Sequence, residues 1–206
     1  MSQAIDKMLA TILFTTRSTA MMYYGDEIEM PTMEPTSKAQ VKDPIGITGW
    51  PKEKGRDGER TPMQWNSSTS AGFSANLKTW LPVAPDYKQV NVEVESHDPN
   101  SMLNWYKKLI ALRRSNPAIH DGDLSMLESG NHQVLAWSRT APDGKLVVVV
   151  CNFAADPQIV SLQSALGGSG KMARTLAASG GTEQKSTVNL SAVSLPPYGS
   201  IIAEVK

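Results

Sequence analysis

Residues 55–65 read Gly-Arg-Asp-Gly-Glu-Arg-Thr-Pro-Met-Gln-Trp. Two guanidiniums, two carboxylates, two glycines and an indole fall within this one stretch. Nothing in it repeats at a helical or strand period, so it reads as a loop. Two readings of it stand side by side. Arginine suits a site that must grip a carboxylate or a cluster of hydroxyls in fixed geometry, whereas a solvated charged loop anchored by Trp65 needs no ligand. Its neighbours decide between them.

Working outward, residues 29–98 continue without periodicity and are rich in Pro, Gly, Asn, Thr and Ser. A loop of that length in a compact domain is usually functional. Trp50, Trp65, Phe73, Trp80 and Tyr87 are too many aromatics for a disordered linker, so order with short helical turns is expected. Upstream, Ile5, Met8, Leu9, Ile12 and Leu13 form the apolar stripe of an amphipathic helix over residues 4–17. Residues 20–24, Ala-Met-Met-Tyr-Tyr, follow as an apolar strand, closed by Gly25-Asp26-Glu27. Helix followed by buried strand is the order of elements in a parallel α/β sheet, whose sites lie at the strand's C-terminal end.

Downstream, Asp98-Pro99 predicts a helix start, with Asp as cap. Met102, Leu103, Tyr106, Leu109 and Ile110 form its apolar face, and Asn116-Pro117 ends it. Beyond Pro117 the period becomes strand-like, with strands expected at 124–128, 133–139, 145–153, 158–162, 172–176, 187–190 and 200–205. Pro142-Asp143-Gly144 is a hairpin turn, Val147 to Val150 the most buried strand, and Trp137 a core residue. These short strands point to an antiparallel sandwich. The expected organisation is therefore α+β, with residues 1–117 and 118–206 as separate domains.

Composition narrows the function. With 20 basic and 20 acidic residues among 206, the chain has no electrostatic footprint for nucleic acid or an anionic membrane. No apolar run reaches the ~20 residues of a membrane span. The single cysteine, Cys151, excludes an internal disulfide framework and fits a reducing, cytoplasmic setting. His97, His120 and His132 sit at no metal-ligand spacing. Neither metal nor cofactor is expected.

The succession Tyr23-Tyr24-Gly25-Asp26-Glu27-Ile28, then residues 55–65, then Asn76, Trp80-Leu81-Pro82, Tyr87 and Asn91-Val92, resembles the α-glucosidase branch of glycoside hydrolase family 13, which includes oligo-1,6-glucosidases, isomaltases and trehalose synthases. The resemblance covers essentially the whole chain. It implies that residues 4–17 are the seventh helix of a (β/α)8 barrel, residues 21–24 its eighth strand and residues 98–116 its eighth helix, with the family's C-terminal β domain after Ala118. The fold is then a barrel remnant followed by an antiparallel β-sandwich. The family is retaining, with an Asp nucleophile, a Glu acid/base and a stabilising Asp. That chemistry needs two carboxylates about 5 Å apart. All three positions would lie before Met1, so no catalytic residue is expected in this chain.

What the resemblance carries onto the loop is substrate binding. Arg60 is the first choice for the arginine that reaches the non-reducing glucose, Arg56 is the second, and Asp57 joins them as a candidate. Met63-Gln64-Trp65 is expected to pack the loop. Asp26 and Glu27 are read as shaping a turn, and Asp98 as a helix cap in spite of the neighbouring His97. Glu29 stands where the family often has Gly, and would be strained if a positive φ is needed there. Three functions follow: the C-terminal part of an enzyme acting on α-gluco-oligosaccharides and inactive alone, a piece complemented by a separate N-terminal barrel fragment, or a non-catalytic carbohydrate-binding or interaction module.

Overall fold

The computed structural model describes residues 3–168, 172–180 and 186–205. Its helices are α1 (Gln3–Thr15), α2 (Pro44–Gly49), α3 (Val92–His97), α4 (Met102–Ser115) and α5 (Pro117–His120). Its strands are β1 (Asp123–Leu127), β2 (Val134–Thr140), β3 (Leu146–Asn152), β4 (Gln158–Val160), β5 (Met172–Ala178), β6 (Thr187–Asn189), β7 (Val193–Leu195) and β8 (Ser200–Val205). They divide between two compact units, one made of residues 1–21 with 105–206 and the other of residues 22–104.

The first unit is built on a six-stranded antiparallel sheet in the order β1-β2-β3-β8-β5-β6. Alternation sorts its side chains. Val134, Ala136, Val148, Val150, Ile201 and Ala203 form a core with Val160, Val193 and Leu195 of the separate two-stranded sheet β4-β7. The hairpin at Pro142-Asp143-Gly144 forms as expected, with Gly144 at φ 85° and β2 paired to β3. The run Val147 to Val150 is buried, and so is Trp137. Only β7 was unforeseen.

In the same unit, α1 ends at Thr15 and buries Met8, Ala10, Thr11, Phe14 and Thr15, while Leu9 of the expected stripe is 45% exposed. The buried face is rotated from the apolar stripe because its threonines find partners. Thr11 Oγ1 donates to Lys7 O (2.9 Å) and lies 2.9 Å from Ser200 Oγ, which is 2.8 Å from Ser179 Oγ. Phe14 meets Tyr106 edge-on at 5.4 Å, and Trp105 Nε1 donates to Lys7 O.

Two arginines close the C-terminal end of α1, where helix carbonyls lack partners. Arg113 donates to the carbonyls of Phe14, Thr16 and Ser18. Arg139, with no exposed surface, donates Nη1 to Thr15 O (2.7 Å), and Nη2 (2.8 Å) and Nε (3.2 Å) to Gly122 O. Burial lowers its pKa, and Arg113 and Arg17 add to the effect against the opposing pull of Asp121 and Asp123.

The second unit has little regular structure. Ile28, Met63 and Leu103 form its apolar centre, with Met30 and Val92 packed against them. Residues 20–24 form no strand, which corrects the expectation from their sequence. A strand exists by pairing, and no strand of the described residues pairs there; Met21 is 81% exposed. The cap expected at Asp98 is also corrected. The helix α4 begins at Met102, where Ser101 Oγ accepts from Asn104 N and Glu95 Oε2 from Leu103 N. Asp98 instead closes the turn after α3, accepting from Asn100 N at 2.8 Å. Glu29 does adopt the left-handed conformation, at φ 55°.

Replacing Arg139 with Met should orphan two buried carbonyls and lower the unfolding free energy by about 2–4 kcal/mol. The exposed pair Arg174–Glu204 (2.6 Å) is the control; Arg174→Met should cost under about 1 kcal/mol. Urea denaturation of both variants checks the contrast.

Candidate functional site

The site grows from a loop that must satisfy its own backbone without helix or sheet. Two buried carboxylates do this. Asp57 Oδ2 accepts from the amides of Lys42 (2.6 Å) and Asp43 (2.9 Å). Asp43 Oδ2 reciprocates, accepting from Arg56 N (3.0 Å) and Arg56 Nε (3.1 Å), while Oδ1 caps α2 through Ile45 N. Residues 42–45 and 55–57 are thereby laced together. Gly55 is required between them: it sits at φ 76°, and a Cβ there would lie 2.8 Å from Asp43 Cβ. The bond from Ile45 N, followed by those from Arg56, holds the Asp43 carboxyl below the usual carboxylate range.

A second lacing runs through Gln64, which is fully buried. Its Nε2 donates to Val90 O and Asp86 Oδ1, and its backbone carbonyl accepts from Val92 N. Met63 and Gln64 pack inward as expected, but Trp65 does not; it stays 49% exposed. The chain then turns back through Ser70, Ala71 and Gly72, all left-handed, with Trp65 N and Asn66 N both donating to Ala71 O.

These bonds leave a cavity of about 420 Å³ whose wall includes Tyr24, Glu27, Arg60, Trp65, Phe73 and Trp80. Tyr24 donates its hydroxyl to Thr61 O at 3.0 Å. Burial raises its pKa, Tyr23 adds to this, and Arg60 opposes it. Glu27 Oε2 accepts from Gly25 N and Asp26 Oδ2 from Tyr23 N, both at 2.8 Å, so the two acids shape the turn.

The three candidate residues have different positions. Arg60 is exposed in the cavity and, among the described residues, takes part in no ion pair. Arg56 is held by Asp43, and Asp57 is spent on backbone amides outside that cavity. His97 and Asp98 lie away from it, His97 Nδ1 being 2.7 Å from Glu93 O. No group of His, Cys, Asp and Glu among the described residues could hold a metal. Tyr24, Phe73 and Trp80 were not foreseen in the site. The only signal was a density of aromatics in a stretch too polar to bury them all.

Comparison with known proteins shows the family. The family model "Alpha amylase, catalytic domain" matches residues 1–122, and the chain belongs to this family. It is 34% identical over 173 residues to an oligo-1,6-glucosidase of Parageobacillus thermoglucosidasius, covering 76% of this chain and 30% of the relative. It is 38% identical over 164 residues to an α-glucosidase of Apis mellifera, covering 77% and 28%. The crystal structure of the trehalulose synthase MutB from Pseudomonas mesoacidophila MX-45 superimposes with a TM-score of 0.82 at 32% identity, covering 98% of this chain and 38% of that one. The chain thus spans about 30% of the length of the curated relatives it matches, and its mixture of helices and antiparallel sheet is that of part of such an enzyme.

The Asp43 lacing makes a pH prediction. Its carboxyl titrates lower in the folded chain than near 4, its unfolded value. Its contribution is therefore complete above about pH 4 and is lost as pH falls below it. Hydrogen exchange should show the Ile45 and Arg56 amides losing protection below about pH 4. The Asp43→Asn variant should show reduced protection throughout and no such step.

Proposed function

We propose that residues 1–206 are the C-terminal portion of an α-glucosidase-like hydrolase acting on α-linked gluco-oligosaccharides. Within it, residues 1–117 belong to the catalytic domain and residues 118–206 form a C-terminal β domain. The observation that carries this reading is Arg60, without an ion pair among the described residues, in a cavity walled by Trp65, Phe73, Trp80 and Tyr24. Guanidinium donors match sugar hydroxyls in fixed geometry, and aromatic faces match the apolar faces of a sugar ring. Arg56 and Asp57 serve the same site at one remove, by fixing the loop that presents Arg60.

The same cavity argues against turnover by these residues alone. Retaining glycoside hydrolysis needs two carboxylates about 5 Å apart. Among the described residues the cavity wall holds one carboxylate, Glu27, whose Oε2 is already bonded to Gly25 N. A second reading, in which a separate chain supplies the rest of the barrel, is favoured by the exposed run Met21, Met22, Tyr23 and Tyr24, which pairs with no strand among the described residues. Such an apolar patch suits a partner. We place the protein in a reducing cytoplasm, where its free Cys151, buried so that its pKa is pushed up, stays a thiol. No helix among the described residues is long and apolar enough to cross a membrane.

Purified residues 1–206 should release no more glucose from maltose, isomaltose or a nitrophenyl α-glucoside than a heat-treated sample. Glucose should bind weakly, and Arg60→Gln should weaken it about tenfold or more, the scale of a charge-assisted hydrogen bond. Turnover above the control, or binding indifferent to Arg60, overturns the reading.

A further inference from the structure

Trp65 and Phe73 bracket residues 66–72, and both line the cavity that holds Arg60. The segment between them reverses the chain through a backbone that its own residues resist. Ser70 stands at φ 49° and ψ 38°, Ala71 at φ 58° and ψ 26°, and Gly72 at φ 70°. Glycine takes such angles freely. In a residue with a side chain the left-handed conformation brings Cβ too close to the following carbonyl oxygen, and serine and alanine are not among the types that visit it routinely. Two consecutive strained residues persist only where the surroundings over-determine them.

Here the surroundings do so from both ends of the segment. Ala71 is fully buried, its carbonyl accepts from Trp65 N (2.9 Å) and Asn66 N (3.2 Å), and its amide donates to Ser68 O (3.0 Å). Phe73 N donates to Ser70 O (3.0 Å), and Ser70 Oγ to Asn76 O (2.6 Å). Gly72 lies so close to Asn66 that a Cβ there would fall 2.6 Å from its Oδ1. The acceptor that ties Trp65 to the far end of the segment is thus the carbonyl of a strained residue. Relaxing the turn to right-handed angles would re-aim that carbonyl and release both amides, and with them the tie between the two aromatic residues on the cavity wall. An element with a bonded, strained form and a relaxed one is shifted by any ligand that binds the two forms unequally. We propose that the left-handed turn at residues 70–72 is a switch that sets Trp65 and Phe73 for a sugar ring: the strained turn is the binding form, and the sugar stabilises it. Ser70 and Ala71 are then positioning residues, acting through the two rings. The inference rests on the carbohydrate reading of this cavity and adds how its aromatic wall is set.

The test follows amide exchange by NMR and glucose binding by calorimetry on residues 1–206. Saturating glucose should slow exchange at the Trp65 and Asn66 amides, because a ligand that selects the turn protects the bonds that define it. Position 70 then separates backbone from side chain. Asparagine tolerates the left-handed region and a β-branched residue does not. Ser70→Asn should therefore bind glucose about threefold tighter, and Ser70→Val about tenfold weaker with faster exchange at both amides. Exchange indifferent to glucose overturns the inference, and so does Ser70→Val binding like the unaltered chain. Equal loss of binding in both variants also overturns it, since the lost Oγ bond to Asn76 would then be the cause. If Ser70→Val does not fold, the exchange of the unaltered chain and the sign of the Ser70→Asn change still decide. Failure of the carbohydrate reading itself is seen separately, as glucose binding indifferent to Arg60→Gln; absence of glucose binding overturns both.

Discussion

The reciprocal bonds of Asp43 and Asp57 are the constraint on which the long loop depends. A backbone amide buried without a partner costs as much as a lost hydrogen bond, and residues 42–57 have only one six-residue helix, α2, to supply partners. Two carboxylates, each accepting from backbone amides of the other's segment, stand in for a sheet. Carboxylates suit this because each oxygen accepts more than one donor and the bonds are charge-assisted. Remove either carboxylate and the two backbone amides it serves lose their acceptor. Arg60, on the cavity wall, follows this laced region after the single turn Asp57–Glu59, so its position is inherited from it.

Residues 1–21 and 105–206 meet the same demand with the opposite charge. There the orphaned groups are carbonyls at the end of α1 and at Gly122, and guanidiniums serve them. Arg139 accomplishes this without a carboxylate in hydrogen-bond contact, which is why its burial works against its charge. A buried cation is tolerated when it is hydrogen-bonded, and each of its three nitrogens donates a bond.

The strands of the β region were legible because runs of β-branched residues there are separated by short clusters of turn residues. Val134 and Ala136 alternate with residues of the opposite face, and a short turn at Asp143-Gly144 leaves one register. What stayed hidden was whatever depends on a partner far along the chain. Residues 20–24 have the composition of a strand, but composition does not provide a neighbour to pair with. Asp98 and Ser101 are both good caps by residue type, and only the path of the chain after α3 decides for Ser101. The stripe of α1 misled because Thr11 and Thr15 bury their hydroxyls on hydrogen bonds that no hydropathy pattern records. The site was half legible: the charged loop and its aromatics stood out, but nothing in the sequence said which rings would face the cavity.

Arg56 and Arg60 show why residue type alone does not assign a role. They lie four positions apart, at either end of the single-turn helix Asp57–Glu59. Arg56 falls where the chain passes Asp43, so its guanidinium is neutralised and fixed. Beyond the turn, Arg60 is bound through its backbone to Asp57 O, and its side chain meets no carboxylate among the described residues. The same turn that consumes one arginine presents the other. A guanidinium held next to aromatic rings without a counter-ion keeps its donors available, and the proposed sugar binding rests on that availability, whereas Arg56 contributes order.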